Sequence, residues 1–166
     1  MNTAPFNGAN LNASPEEFLQ GSITDYLENK LIDHIFRGQA YVPPATVYVG
    51  LLLDPPEDNG TYSEVSTSGT NYTRVGVVGS LTAFCGTQGT GTTEVSSGTE
   101  GVISNNSPVT FGTPSASWGE IKAFGVFDAA TDGNLLVYGL MKYPKQIGYG
   151  DPGPKFPAST LSITAR

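Results

Sequence analysis

Residues that carry chemistry are scarce in this chain. One cysteine, Cys85, excludes an internal disulfide and any zinc site built from thiolates. One histidine, His34, sits between Asp33 and Ile35 and has no GxSxG nucleophile elbow to serve. Lys and Arg number 8 against 15 Asp and Glu, for a net charge of −7. So little basic surface argues against direct nucleic-acid binding, which needs cations to displace counterions. It argues equally against an anionic membrane surface. No apolar run approaches the roughly 18 residues of a membrane span. The start, MNTAPFNGANLNAS, lacks the basic and apolar regions of a signal peptide, so folding in a cytoplasm is expected. There is no repeat of fixed period. Gly86, Gly89 and Gly91 precede no Lys-Ser/Thr, so they make no phosphate loop, and no other cofactor motif is present.

What is abundant is Gly (21) and Pro (12), with many Ser and Thr between blocks of large apolar residues. That is the composition of short strands and turns around a folded core, not of a helical bundle. The 166 residues are enough for one domain, expected at 22–166 behind an arm at 1–21. The arm is Asn, Ala, Pro and Gly with isolated Phe6, Leu11, Phe18 and Leu19. These apolar side chains favour ordering against a neighbouring subunit over a frayed end.

One strong helix is expected, over residues 22–37. Ser22 is placed as its N-cap and Asp25 as a shortened capping-box partner. Ile23, Tyr26, Leu27, Leu31, Ile32, Ile35 and Phe36 recur at helical spacing, which predicts an apolar face packed on a sheet or a symmetry mate. Arg37 suits the helix C-terminus, and Gly38 the left-handed residue after it. Strands are expected at 46–53, 72–78, 109–111, 117–127, 135–141 and 161–164, with short ones at 81–84 and 102–103. Residues 79–101 read as a long Gly/Thr/Ser surface loop. The segment KYPKQIGYGDPGPKFP reads as neither helix nor regular strand. About seven or eight strands with regular turn signals predict a mainly β, antiparallel, jelly-roll-like sandwich with one N-terminal amphipathic helix.

The candidate chemical sites each have a simpler structural reading. Residues 128–134 resemble a calcium loop in composition, but their Asp, Asn and Gly are what a tight turn demands. Glu57, Asp58 and Glu64 form an acidic group that paired-carboxylate glycoside hydrolysis could use. Only Tyr62 nearby offers a sugar platform, so a solvated loop is expected. Cys85 reads as a small core residue between Phe84 and Gly86. His34 reads as an exposed or boundary helix residue. No metal, cofactor or catalytic residues are assigned, and the chain is expected not to be an enzyme. Tyr143, Tyr149 and Phe156 are candidates for an interface, because aromatic rings in irregular segments suit one.

Several segments, in order, carry a resemblance. They are ITDYLENKLIDHIFRG, YVPPATVYVGLLL, DNGTYSEVSTSGTNYTRV, GVISNNSPVTFGTPSASWGEIKAFGVFDAATDGNLLVYGLM and PKQIGYGDPGPKFPASTLSITA. Together they resemble a family of small tailed-bacteriophage virion proteins, labelled tail fibre or structural protein, over roughly residues 22–165. The motifs are Glu64-Val65-Ser66 with Tyr72-Thr73-Arg74-Val75, Ile103-Ser104-Asn105 with Val109-Thr110-Phe111, Trp118-Gly119-Glu120-Ile121 with Phe124 to Asp128, and Gly133 to Gly139. Two features depart from the family pattern: the long 79–101 segment and the prolines of GDPGP at 150–154.

The resemblance implies a virion structural protein. The expected role is a capsid decoration, or cement, protein. It would assemble as a homotrimer and bind across subunits of the major capsid protein. Its contacts would come from Phe6, Leu11, Phe18, Leu19, Tyr143, Tyr149 and Phe156. The alternative is a tail fibre or baseplate component that binds a host surface glycan. A third class, a glycan depolymerase using Glu57 or Glu64, ranks below both.

Overall fold

The computed structural model describes residues 18–99 and 101–164. Its elements run β1 Phe18–Ile23, α1 Asp25–Phe36, β2 Thr46–Leu52, β3 Val75–Val78, β4 Val102–Ser104, β5 Val109–Thr110, β6 Gly119–Phe127, β7 Leu135–Ile147, β8 Lys155–Phe156 and β9 Ser162–Thr164. The main sheet has five strands in the order β1-β7-β6-β2-β3, and β4-β9 and β5-β8 form two-stranded pairs. Every one of these pairings is antiparallel. The mainly β, antiparallel expectation holds. A jelly roll is a more specific arrangement than this one sheet with two short pairs.

Both faces of the main sheet are covered. Successive side chains of a strand point to opposite faces, and Val49 and Leu51 join one apolar cluster while Leu52 joins another. The end of β6 is therefore buried without alternation, from Ala123 through Phe127. The larger cluster is built on aromatic rings. Tyr72 stacks on Phe111 at 6.1 Å and meets Trp118 edge-on at 5.2 Å. Phe156 meets Phe111 at 6.3 Å and Phe124 at 5.5 Å. These rings join the β5-β8 pair to the main sheet. Glycine makes room for them. An added Cβ at Gly50 would stand 2.8 Å from Glu64 Oε1 and 2.9 Å from the Phe127 ring.

Several local expectations need correction. The helix starts at Asp25, not Ser22, and Thr24 is its N-cap without a side-chain capping bond. Ser22 and Ile23 lie in β1, opposite Tyr138 and Val137. The reason is tertiary. The Thr24 hydroxyl lies 2.6 Å from the Leu135 carbonyl, to which it donates, and its N–H donates to Leu136 O. The sheet thus takes the groups that a capping turn would have used. Gly38 has the expected positive φ, 66°. Only the start of the helix's apolar stripe packs down: Ile23, Tyr26 and Leu27 touch the core, while Leu31, Ile32, Ile35 and Phe36 are exposed. Strand β7 continues six residues past the expected end at Met141, through Pro144 to Ile147, because β6 pairs with it as far as Gly119↔Ile147. The second strand begins at Val75 rather than Tyr72, and residues 81–84 form a turn with one isolated bridge, Phe84↔Asn105. Cys85 is buried as expected.

Asn105 ties the two short pairs together. It is 1% exposed. Its Nδ2 donates to Ser107 O at 2.8 Å and Pro157 O at 2.9 Å, and its Oδ1 accepts from Leu161 N–H at 2.9 Å. Asn105→Ala strands the buried Leu161 N–H and the partly buried Pro157 carbonyl, and is expected to cost about 2–3 kcal/mol. Urea unfolding measures it: the midpoint drops while the slope holds.

Candidate functional site

The densest polar construction lies where the strand pair β2-β3 meets the 128–134 loop. Its centre is Arg74, one residue before β3, whose side chain is 4% exposed and pairs with Glu64, 17% exposed. The pair is bidentate: Arg74 Nε donates to Glu64 Oε1 at 2.9 Å and Nη2 to Oε2 at 2.8 Å. Nη2 also donates to the Tyr62 hydroxyl at 3.1 Å. Nη1 donates to Ala129 O at 2.9 Å and Asp132 O at 2.7 Å. A guanidinium has five N–H donors, and these five contacts use them all. Its carbon lies 3.4 Å from the centroid of the Phe127 ring, on which it stacks.

Tyr72 completes the network from below. Its hydroxyl donates to Glu64 Oε1 and accepts the Leu51 N–H, each at 2.7 Å. Burial, followed by the Glu64 charge, pushes the Tyr72 phenol far above the ordinary tyrosine range. For Arg74, burial works against the charge, but the hydrogen bonds and charges of Glu64 and then Tyr62 together more than offset it and raise its pKa. The 128–134 loop is shaped at its own neck. Asp128 Oδ1 accepts the Asn134 N–H and Oδ2 accepts Asn134 Nδ2, each at 2.7 Å. That commits the Asp128 carboxylate to a turn, which Asp132 (φ 52°) and Gly133 (φ 70°) complete.

Above this base lies an open groove of about 370 Å³. Ser66, Thr67, Thr73 and Thr131 supply hydroxyls, Tyr62 an aromatic edge and Asp132 a carboxylate. Arg74 is the one cation among its lining residues, and its N–H groups are spent inside the protein. The groove therefore offers hydroxyl and carbonyl contacts but no free positive charge. A second groove, of about 520 Å³, runs along β3 beside Ser80, Thr82 and Pro108.

A family model described as "Podophage GP4 fiber I protein gp80" matches residues 22–164. The chain belongs to this family. Membership of this phage fibre family carries a structural role in the virion. No curated protein matches the chain.

The expected contact residues of this fibre protein are only partly among the described residues. Phe6 and Leu11 lie outside the described residues. Phe18 and Leu19 are on β1, opposite Met141 and Leu140. Tyr143 and Tyr149 are exposed, at 57% and 79%. Phe156 has no exposed surface and packs the core, so it offers nothing to a partner. Glu64 also differs from its expected setting. It is not a solvated loop carboxylate but the partly buried counter-ion of Arg74. Glu57 and Asp58 are exposed, and Asp58 accepts the Tyr138 hydroxyl at 2.7 Å. His34 is exposed, as expected. Among the described residues no group of three His, Cys, Asp or Glu could hold a metal, and no helix is long and apolar enough to cross a membrane. Sequence reasoning used Tyr72 and Arg74 only as motif residues and gave them no place in a site. The available signal was a lone arginine between Thr73 and an apolar strand, which asks for a buried partner.

Arg74→Met leaves the partly buried Glu64 without its counter-ion and two loop carbonyls without donors. The expected cost is about 3–5 kcal/mol, read as a fall in denaturant midpoint. The network also sets an alkaline limit. Tyr72 holds its proton more tightly folded than unfolded, so its contribution is complete below its ordinary pKa of 10.0 and is lost as pH rises above it. Tyr138 shifts the same way, through burial and then its bond to Asp58. In an alkaline titration, part of the phenolate absorbance should appear only as near-UV circular dichroism is lost.

Proposed function

We propose that this chain is a tail fibre or baseplate component that works by binding rather than by chemistry. Its ligand is a neutral polysaccharide of the host surface, held in the groove between Tyr62 and Asp132. One observation carries the reading: hydroxyl side chains and an aromatic edge line an open groove whose one cation is fully consumed internally. Sugars present many hydroxyls, which such walls can match donor for acceptor. Acidic glycans would meet Asp132 and a chain of net charge −7, with no free guanidinium among the residues lining the groove to offset them. Family membership supports the fibre part of the proposal. The non-enzymatic part is supported by Glu64, whose oxygens already accept from Tyr72 and twice from Arg74. A carboxylate so held is a poor proton shuttle.

Thr73 and Thr131 are exposed on the groove walls. Thr73→Trp should fill the groove and weaken binding to host surface polysaccharide at least tenfold, with the unfolding midpoint nearly unchanged. Saturable binding of polysaccharide is the expected result for the parent chain. No binding, or equal binding by the variant, would remove the groove from the proposal. Copy number per virion separates this role from capsid cement on the major capsid protein. Few copies are expected; many copies would move the protein to the shell.

A further inference from the structure

Strand β3 ends one side of the main sheet, and among the described residues no strand pairs with its outer edge. The ladder to β2 shows which backbone groups that edge presents. Thr46 stands opposite Val78, and Gly79 N–H donates to Ala45 O. Positions 45 and 79 are therefore a hydrogen-bonded pair, and such pairs alternate along an antiparallel ladder. Val75 and Val77 then bond to β2, while the N–H and C=O groups of Gly76 and Val78 point away from it. Natural edges are blunted by Lys, Pro or a bulge. The run Val75-Gly76-Val77-Val78 carries none of these, and its register with β2 is unbroken. The groove of about 520 Å³ runs along this strand. Val75, Val77, Ala83, Pro108 and Val109 are among its lining residues, and none of the lining residues is charged. A free row of backbone groups beside an apolar groove is what an added strand requires.

The chain carries a segment that matches. Residues 1–17 lie outside the described ones, and residues 1–15 contain no Asp, Glu, Lys or Arg. Between Pro5 and Pro15, the run Ala9-Asn10-Leu11-Asn12-Ala13 alternates apolar and polar at the period of a half-buried strand. In a chain of net charge −7, an uncharged segment enters an uncharged groove without stranding a charge. The same copy cannot supply it. The arm joins β1, at the opposite edge of the sheet, four strand spacings or about 19 Å from β3. The five residues from Ala13 to Phe18 reach at most about 18 Å, and they would have to pass round a sheet covered on both faces. We infer that residues 9–13 of one copy add as a further strand to the outer edge of β3 in a neighbouring copy, with Leu11 in the groove. The contact joins two different surfaces, so each copy can give one strand and accept another.

Hydrogen exchange followed by NMR on the full chain tests this. Where sedimentation shows association, the Gly76 and Val78 amides should exchange at least tenfold more slowly than in the Leu11→Asp chain, with far-UV circular dichroism the same in both. Isotope-labelled Leu11→Asp copies mixed with excess unlabelled parent copies should regain that protection, because the strand comes from another copy. Fast exchange at both amides in the parent chain at every concentration would overturn the proposal. Protection that survives Leu11→Asp would overturn it too, and would place a second β3 edge or another segment there. Protection lost in Leu11→Asp but not regained in the mixture would put the arm on its own copy, which also overturns it.

Discussion

The ion pair between Glu64 and Arg74 is the constraint on which the rest of the molecule depends. Two charges taken out of water lose several kcal/mol of hydration each, and attraction alone rarely restores it. Here every remaining group is also satisfied. Glu64 accepts from Tyr72 and Arg74, and Arg74 donates to Tyr62 and to two loop carbonyls. The pair therefore works as a cross-link. It holds the segment before β3, the 62–64 segment, the 128–134 loop and, through Tyr72, the backbone of β2. A half-satisfied version of the same network would be worse than an apolar patch.

The surrounding packing is shaped to admit this cross-link. Phe127 provides the ring under the guanidinium, and Gly50 leaves space for that ring, for Glu64 and for the Tyr72 hydroxyl. Gly125, opposite Gly50 on the neighbouring strand, leaves space for the same ring and for Leu135. Tyr72 in turn belongs to the aromatic group with Phe111 and Trp118. The polar network and the apolar core are thus one construction, joined at a tyrosine whose ring is in the core and whose hydroxyl is in the network. A groove built on that base is rigid on the side where a ligand would lie, which lowers the ordering cost of binding. The exposed stripe of α1 lies outside this construction.

Much of the fold was legible because it is written in local pattern. The β-branched and aromatic run at 46–53 and the turn residues at 128–134 each state their structure within a few positions. The order of the quoted motifs pointed to phage virion proteins, and the family match over residues 22–164 agrees. Other features were hidden because their causes are distant in sequence. Ser22 looks like an N-cap until β1 is seen paired with β7. Pro144 argues against a strand until it is found in the register shift between the Ile121↔Lys145 and Ala123↔Leu140 pairs, where no ladder bond is asked of it. Phe156 looks like an interface residue in a Pro/Gly-rich segment until Phe111 and Phe124 close around it.

Composition and local pattern decided that this is an acidic, strand-rich protein with a single strong helix and little chemistry-bearing equipment. Those properties follow from residue type and from spacing over a few positions. Tertiary structure decided which charges are solvated and which are buried. Glu57, Asp58 and Glu64 look alike in a loop, yet Glu64 alone meets Arg74, ten residues further on, above the Phe127 ring from another strand. Folding likewise decided which half of the helix stripe found the core. Hydration and Coulomb energies depend on what surrounds a group in space, and sequence order does not record that.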